Sequence, residues 1–147
     1  VIEGFRSPLA RALLATFACG VACLPIAHAA DRPLPAGVSV EIDYPTPQAA
    51  LAAVRAKPGV SVREENDWFV LKEPNGRSFW SITQPTNPAH PMVVKRTLVE
   101  DTEGIRMVMR VKCGAPKEVC DHVVQQFQQG DARAVEQLRR AAKGPQG

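Results

Sequence analysis

Four cysteines and three histidines are the residues of this 147-residue chain best suited to nucleophilic, redox or metal chemistry. Their spacing offers little of it. Cys113 and Cys120 are separated by six residues, whereas redox catalysis usually places Cys-x-x-Cys at a helix N-terminus. A cysteine pair this close in an exported protein is expected to form a disulfide, stabilising by roughly 2–2.5 kcal/mol through the short closed loop. His122 lies two residues from Cys120, but residues two apart on a helix point to different sides. Structural zinc also takes four ligands, so no metal is expected. His90 and His122 have no serine or cysteine nucleophile and acid at a recognised spacing. The expectation is a non-enzymatic protein without a cofactor.

Binding chemistry is better represented. The connection over residues 84–91 holds Pro85, Pro88, His90 and Pro91, and is longer and stiffer than a hairpin needs. Trp80 precedes it, and Lys95 and Arg96 follow. An aromatic ring, an imidazole and two cations are thus expected near one sheet edge, as a rigid recognition loop for an anionic or peptide partner. The plainer reading is a prolyl loop that shields the edge, with His90 idle. Along residues 105–113 every odd position is apolar, and the even positions include Arg106, Arg110 and Lys112. Together with Lys95 or Arg96 they form a basic stripe. It reads either as a solvated face that discourages sheet association or as a docking surface for an acidic partner. The candidate binding residues are Trp80, His90, Lys95, Arg96, Arg106 and Arg110.

The elements that must position these residues follow from periodicity and punctuation. Val38, Val40, Ile42 and Tyr44 alternate with polar residues, as in a short strand or a docked arm. Thr46 and Pro47 are a helix-start pair ahead of an alanine-rich helix that Pro58-Gly59 stops. Strands are then expected over 60–64, 68–72, 77–83, 92–100 and 105–113, with Asn75-Gly76 the strongest hairpin signal. A helix over 116–129 buries Val119, Cys120, Val123, Val124 and Phe127. Gly130 reads as a break and Asp131 as the cap of a last helix. No connection between strands contains a helix, which excludes parallel neighbours. The fold class is therefore α+β: an antiparallel meander of four to five strands, with an N-terminal helix and two C-terminal helices packed on one face.

The first residues read as an export signal. Arg6 and Arg11 precede an apolar run over 12–26, and Ala27-His28-Ala29 supplies the small residues a signal peptidase reads. The expected division is a signal peptide at 1–29 and a single periplasmic domain at 30–147, with 30–37 and 144–147 loosely ordered. Lipid anchoring through Cys19 or Cys23 is a lesser alternative, because neither is preceded by the leucine-like residue such sites carry. The net charge is +3, and loss of Arg6, Arg11 and Glu3 changes it by one unit. So mild a balance excludes nucleic acid as the expected partner, and no later segment is apolar enough to span a bilayer.

Trp80-Ser81-Ile82-Thr83, then Pro88-Ala89-His90-Pro91, then Val93-Val94-Lys95-Arg96, together with the leader and the late cysteine pair, resemble small secreted proteobacterial proteins without established activity. That resemblance implies export and a compact α+β domain, and supplies no catalytic residues. The functional expectation is a periplasmic accessory or binding protein that contacts another envelope protein, a peptide or an envelope component through the prolyl loop and adjacent sheet. The alternative is a chaperone-like or inhibitor protein that binds apolar client segments.

Overall fold

The computed structural model describes residues 32–144. The expected signal peptide at 1–29 and the last residues, 145–147, lie outside the described part. Helix α1 (Pro47–Arg55) is followed by strands β1 (Ser61–Glu65), β2 (Trp68–Lys72), β3 (Ser78–Thr83), β4 (Met92–Asp101) and β5 (Gly104–Cys113), then helix α2 (Lys117–Ala142). The five strands form one antiparallel sheet in chain order, the expected meander.

Local chemistry sets the turns. Asn66 and Asp67 both adopt positive φ between β1 and β2, the conformation that a two-residue hairpin turn requires and that Asn and Asp tolerate. In the next hairpin the Asn75 Oδ1 accepts from the backbone amides of Arg77 at 2.8 Å and Ser78 at 3.1 Å, a side-chain substitute for a backbone turn. Thr46 caps α1 by accepting from the Ala49 amide at 3.1 Å.

The register divides the sheet into two faces. Trp80 pairs with Lys95, and Lys95 with Arg110, on one face; Phe79, Arg96 and Met109 align on the other. The first face is covered by α1 and by the extended arm of residues 32–44. Ala50 and Val54 of the helix and Ile42 of the arm meet Leu71, Trp80, Ile82 and Val93 in one buried cluster. The second face is covered by α2, whose Val119, Val123, Val124 and Phe127 pack around Ala89, Met92 and Val94.

Two expectations are corrected here. The helices lie on opposite faces of the sheet. The run Met92-Val93-Val94 is fully buried, and consecutive apolar residues in a strand need cover on both sides. There is also one C-terminal helix of 26 residues in place of two. Gly130 does not break it, because Asp131 and Val135 continue the inward face begun by Val123 and Phe127. The cost of a glycine in a helix interior is roughly 1 kcal/mol, which packing on both sides outweighs.

The expected disulfide is formed: Cys113 and Cys120 are bonded with their Cα atoms 6.2 Å apart. It ties the end of β5 to the first turn of α2. The turn also docks on the prolyl loop, where the Gly114 amide donates to the Pro91 carbonyl at 2.8 Å.

A Cβ added at Gly130 meets nothing within 4 Å, and Gly130 is not among the glycines with positive φ. Gly130→Ala should therefore raise stability by about 0.5–1 kcal/mol, read as a higher urea midpoint. A lower midpoint would mean that Gly130 is a break after all.

Candidate functional site

The basic stripe lies beneath the arm. An irregular segment leaves its carbonyls without ladder partners, and buried carbonyls must find donors. Three cations of the sheet supply them. Arg106 donates to the Arg32 carbonyl at 3.1 Å and the Pro33 carbonyl at 2.7 Å. Lys95 Nζ donates to Ser39 O at 3.1 Å and Glu41 O at 2.8 Å. Lys112 Nζ donates to Tyr44 O at 2.6 Å. Side chains add to this: Arg110 pairs with Glu41 at 3.1 Å, and Arg32 with Asp101 at 2.9 Å. The apolar side chains of the arm, Val40 and Ile42, are buried.

Between arm and sheet a cleft of about 390 Å³ remains, with Trp80, Lys95, Thr97 and Ser78 on its sheet side and Lys57, Glu73 and Asn75 among the other lining residues. Its floor is set by the β3–β4 register, in which Ser78 faces Thr97 and Trp80 faces Lys95. Lys95 is only 7% exposed and lies 5.1 Å from the centroid of the Trp80 ring, a cation–π contact in a desolvated place. Burial pushes the Lys95 ammonium below the ordinary lysine range, against the pull of Glu73 and Asp43. Glu73 Oε1 accepts from Lys57 Nζ at 2.9 Å and from Trp80 Nε1 at 2.8 Å. Burial alone would raise its pKa; the hydrogen bonds from Lys57 and Trp80 and the charges of Lys57 and Lys95 outweigh burial and hold it below its usual value. Thr97 is 4% exposed, and its hydroxyl has no hydrogen-bond partner.

No family model matches the chain, and neither the curated proteins nor the solved structures give a match. The geometry alone carries the functional reading.

Among the residues singled out in the sequence, Trp80 and Lys95 meet in this cleft, while Arg110 and Arg106 stand on the same face and hold the arm. Arg96 projects from the opposite face of the sheet to α2, where it pairs with Asp131 at 3.2 Å and lies 4.9 Å from the centroid of the Phe127 ring. Burial raises the Asp131 carboxyl against the lowering effect of Arg96. His90 sits beside Thr83, its Nδ1 at 3.2 Å from Thr83 Oγ1. Its loop is tied to the β1–β2 turn by Thr86, whose hydroxyl donates to Asp67 at 2.8 Å. The loop is thus built into the far end of β3 and β4 from Ser78 and Thr97. Ser78, Thr97 and Glu73 were missing from the sequence-based set. The available signal was Thr97 itself, a polar residue on the Lys95 face of a strand otherwise rich in buried valines.

Two predictions follow from these contacts. Lys95→Met should cost about 1 kcal/mol, because two part-buried carbonyls lose a charged donor. It should also release the arm, so that protease cleavage within 33–43 accelerates while the sheet persists; unchanged cleavage would deny that Lys95 holds the arm. Glu73, with its folded pKa depressed, contributes stability above its ordinary value of 4.5 and loses it as pH falls through the folded value. In urea titrations from pH 7 to pH 3, Glu73→Gln should be less stable than wild type at neutral pH and should lose less on acidification. Parallel curves would remove Glu73 from the acid response.

Proposed function

We propose that this chain is a non-enzymatic binding protein of the cell envelope that uses the Trp80–Lys95 cleft as its binding site. The observation that carries this reading is the cleft itself, about 390 Å³ between arm and sheet, with the Trp80 ring and the buried Lys95 ammonium in its floor. The cleft volume falls in the range of small-ligand sites. The Cys113–Cys120 disulfide supports an oxidising, exported address, and no helix among the described residues is long and apolar enough to cross a membrane.

This reading moves the site from the His90 loop to the opposite end of the same strands, while keeping Trp80 and Lys95. The chaperone-like alternative has less support. Among the described residues the exposed large apolar side chains are Leu34, Val62 and Leu138, on the arm, β1 and α2. Client binding calls for a contiguous patch, which single scattered residues do not provide.

A thermal-shift panel of small polar molecules against wild type, Ser78→Ala and His90→Ala separates these possibilities. Hits lost in Ser78→Ala and kept in His90→Ala support the cleft. Hits lost only in His90→Ala would return the site to the prolyl loop.

A further inference from the structure

We infer that the outer edge of β5 takes an added strand. The occupant is an extended segment of another protein, with acidic and apolar residues in alternation, laid in the groove between β5 and α2. This surface is independent of the cleft beneath the arm, and it follows from the direction of the β5 backbone groups.

β5 is the last strand of the sheet, 10 residues long, and among the described residues it pairs with β4 alone. In an antiparallel ladder alternate residues bond the partner, and the residues between them turn their N–H and C=O groups away. The Gly114 amide donates to the Pro91 carbonyl, one step beyond the Met92–Cys113 register pair. The even residues of β5 therefore bond β4, and Ile105, Met107, Met109 and Val111 direct their backbone groups outward. Two contacts agree with this assignment. Arg139 Nη2 donates to the Ile105 carbonyl at 2.9 Å, and Arg110 Nη1 to the Met109 carbonyl at 3.3 Å. Among the described residues nothing comparable reaches the Met107 and Val111 carbonyls or the four outward amides. A row of such groups is a template for another strand.

A groove of about 440 Å³ runs along this edge. Its lining takes residues from both faces of β5, Met107 and Met109 with Arg106 and Arg110, and Ala132 and Val135 from α2. The rim of the strand thus forms one wall and the helix the other. Side chains of an added strand share the face of the residues they lie opposite. Opposite Met107 and Met109 they turn toward α2, where Ala132 and Val135 favour an apolar group. Opposite Arg110 and Lys112 they turn toward the arm, where an acidic residue is favoured and a basic one repelled. The acids near the edge each have a cation: Glu41 has Arg110, Asp101 has Arg106, Asp131 has Arg96 and Glu136 has Arg140. Arg139 and Lys112 bond backbone carbonyls instead, which leaves the edge basic. A second copy of the chain suits this edge poorly. Antiparallel pairing about a two-fold at Met109 sets Arg106 of one copy opposite Lys112 of the other, and pairing about Val108 sets Arg106 opposite Arg110.

The test titrates acetyl-Glu-Val-Glu-Val-Glu-Val-amide into the protein and follows amide hydrogen exchange. Three further peptides accompany it: the counterpart with lysine for glutamate, a form N-methylated on every valine and a form N-methylated on every glutamate. The acidic peptide should slow exchange at Met107 and Val111 by about tenfold or more, and leave the Ser78 and Trp80 resonances of the cleft in place. The lysine counterpart should bind about tenfold more weakly or worse. An added strand turns its valine amides to β5 and its glutamate amides away. Methylated valines should therefore abolish binding, and methylated glutamates should keep it. No protection at Met107 and Val111, equal behaviour of the two methylated forms, or preference for the lysine peptide overturns the inference. Protection of these amides that grows with protein concentration in the absence of peptide would assign the edge to a second copy and overturn it too. Shifts confined to Ser78 and Trp80 would place the peptide in the cleft and remove the edge as its site.

Discussion

A buried ammonium hydrogen-bonded to two backbone carbonyls is the interaction on which the arm side of this molecule depends. Lys95 sits in the middle of the sheet, on a strand flanked by valines, and is nearly as buried as they are. An isolated charge there would be prohibitive. It is tolerated because Ser39 O and Glu41 O approach from the arm and the Trp80 ring lies alongside. The same bonds solve the complementary difficulty of the arm, whose irregular backbone needs donors. Each side offsets part of the desolvation cost of the other, and Arg106 and Lys112 repeat the arrangement at either end of the segment.

The cleft is a consequence of this mode of docking. A strand added at the edge would have extended the sheet, and a helix on the face would have filled the space above it. An arm suspended from long cationic side chains leaves room between its backbone and the sheet. Trp80 and Thr97 form the floor of that room, and the Lys57–Glu73 pair stands at its side. On the opposite face α2 packs directly on Met92 and Val94, with the disulfide fixing its first turn. Cavities remain on both sides, about 390 Å³ beneath the arm and about 440 Å³ between β5 and α2, and the one beneath the arm has the buried Lys95 ammonium and the Trp80 ring in its floor.

Much of the architecture was legible in the sequence because it is local. Asn66-Asp67 and Asn75-Gly76 mark their hairpins by side-chain chemistry, the odd–even alternation of β5 is a period of two, and the cysteine pair closes a short loop. What escaped was either cooperative or long-range. Gly130 reads as a break by propensity, yet burial on both sides of it decides for continuity. Met92-Val93-Val94 carried the sign of a strand covered on both faces, which argues against placing all helices on one side. The alternation identified Arg106, Arg110 and Lys112 as one face, but alternation cannot say what covers a face. The partners of Lys95 lie more than fifty residues away in sequence. For the same reason Trp80 and Lys95 were in view while Ser78, Thr97 and Glu73 were not, since the strand register brings them together.

The most direct measurement is the NMR behaviour of the Lys95 ammonium itself, with the side-chain nitrogen labelled. Docked under the arm, its N–H protons should exchange slowly with water, show contacts to Ser39 and Glu41, and couple across the hydrogen bonds to those two carbonyl carbons. An ammonium that exchanges like that of an ordinary surface lysine, with no coupling to the arm, would contradict the Lys95–arm linkage and the cleft built on it.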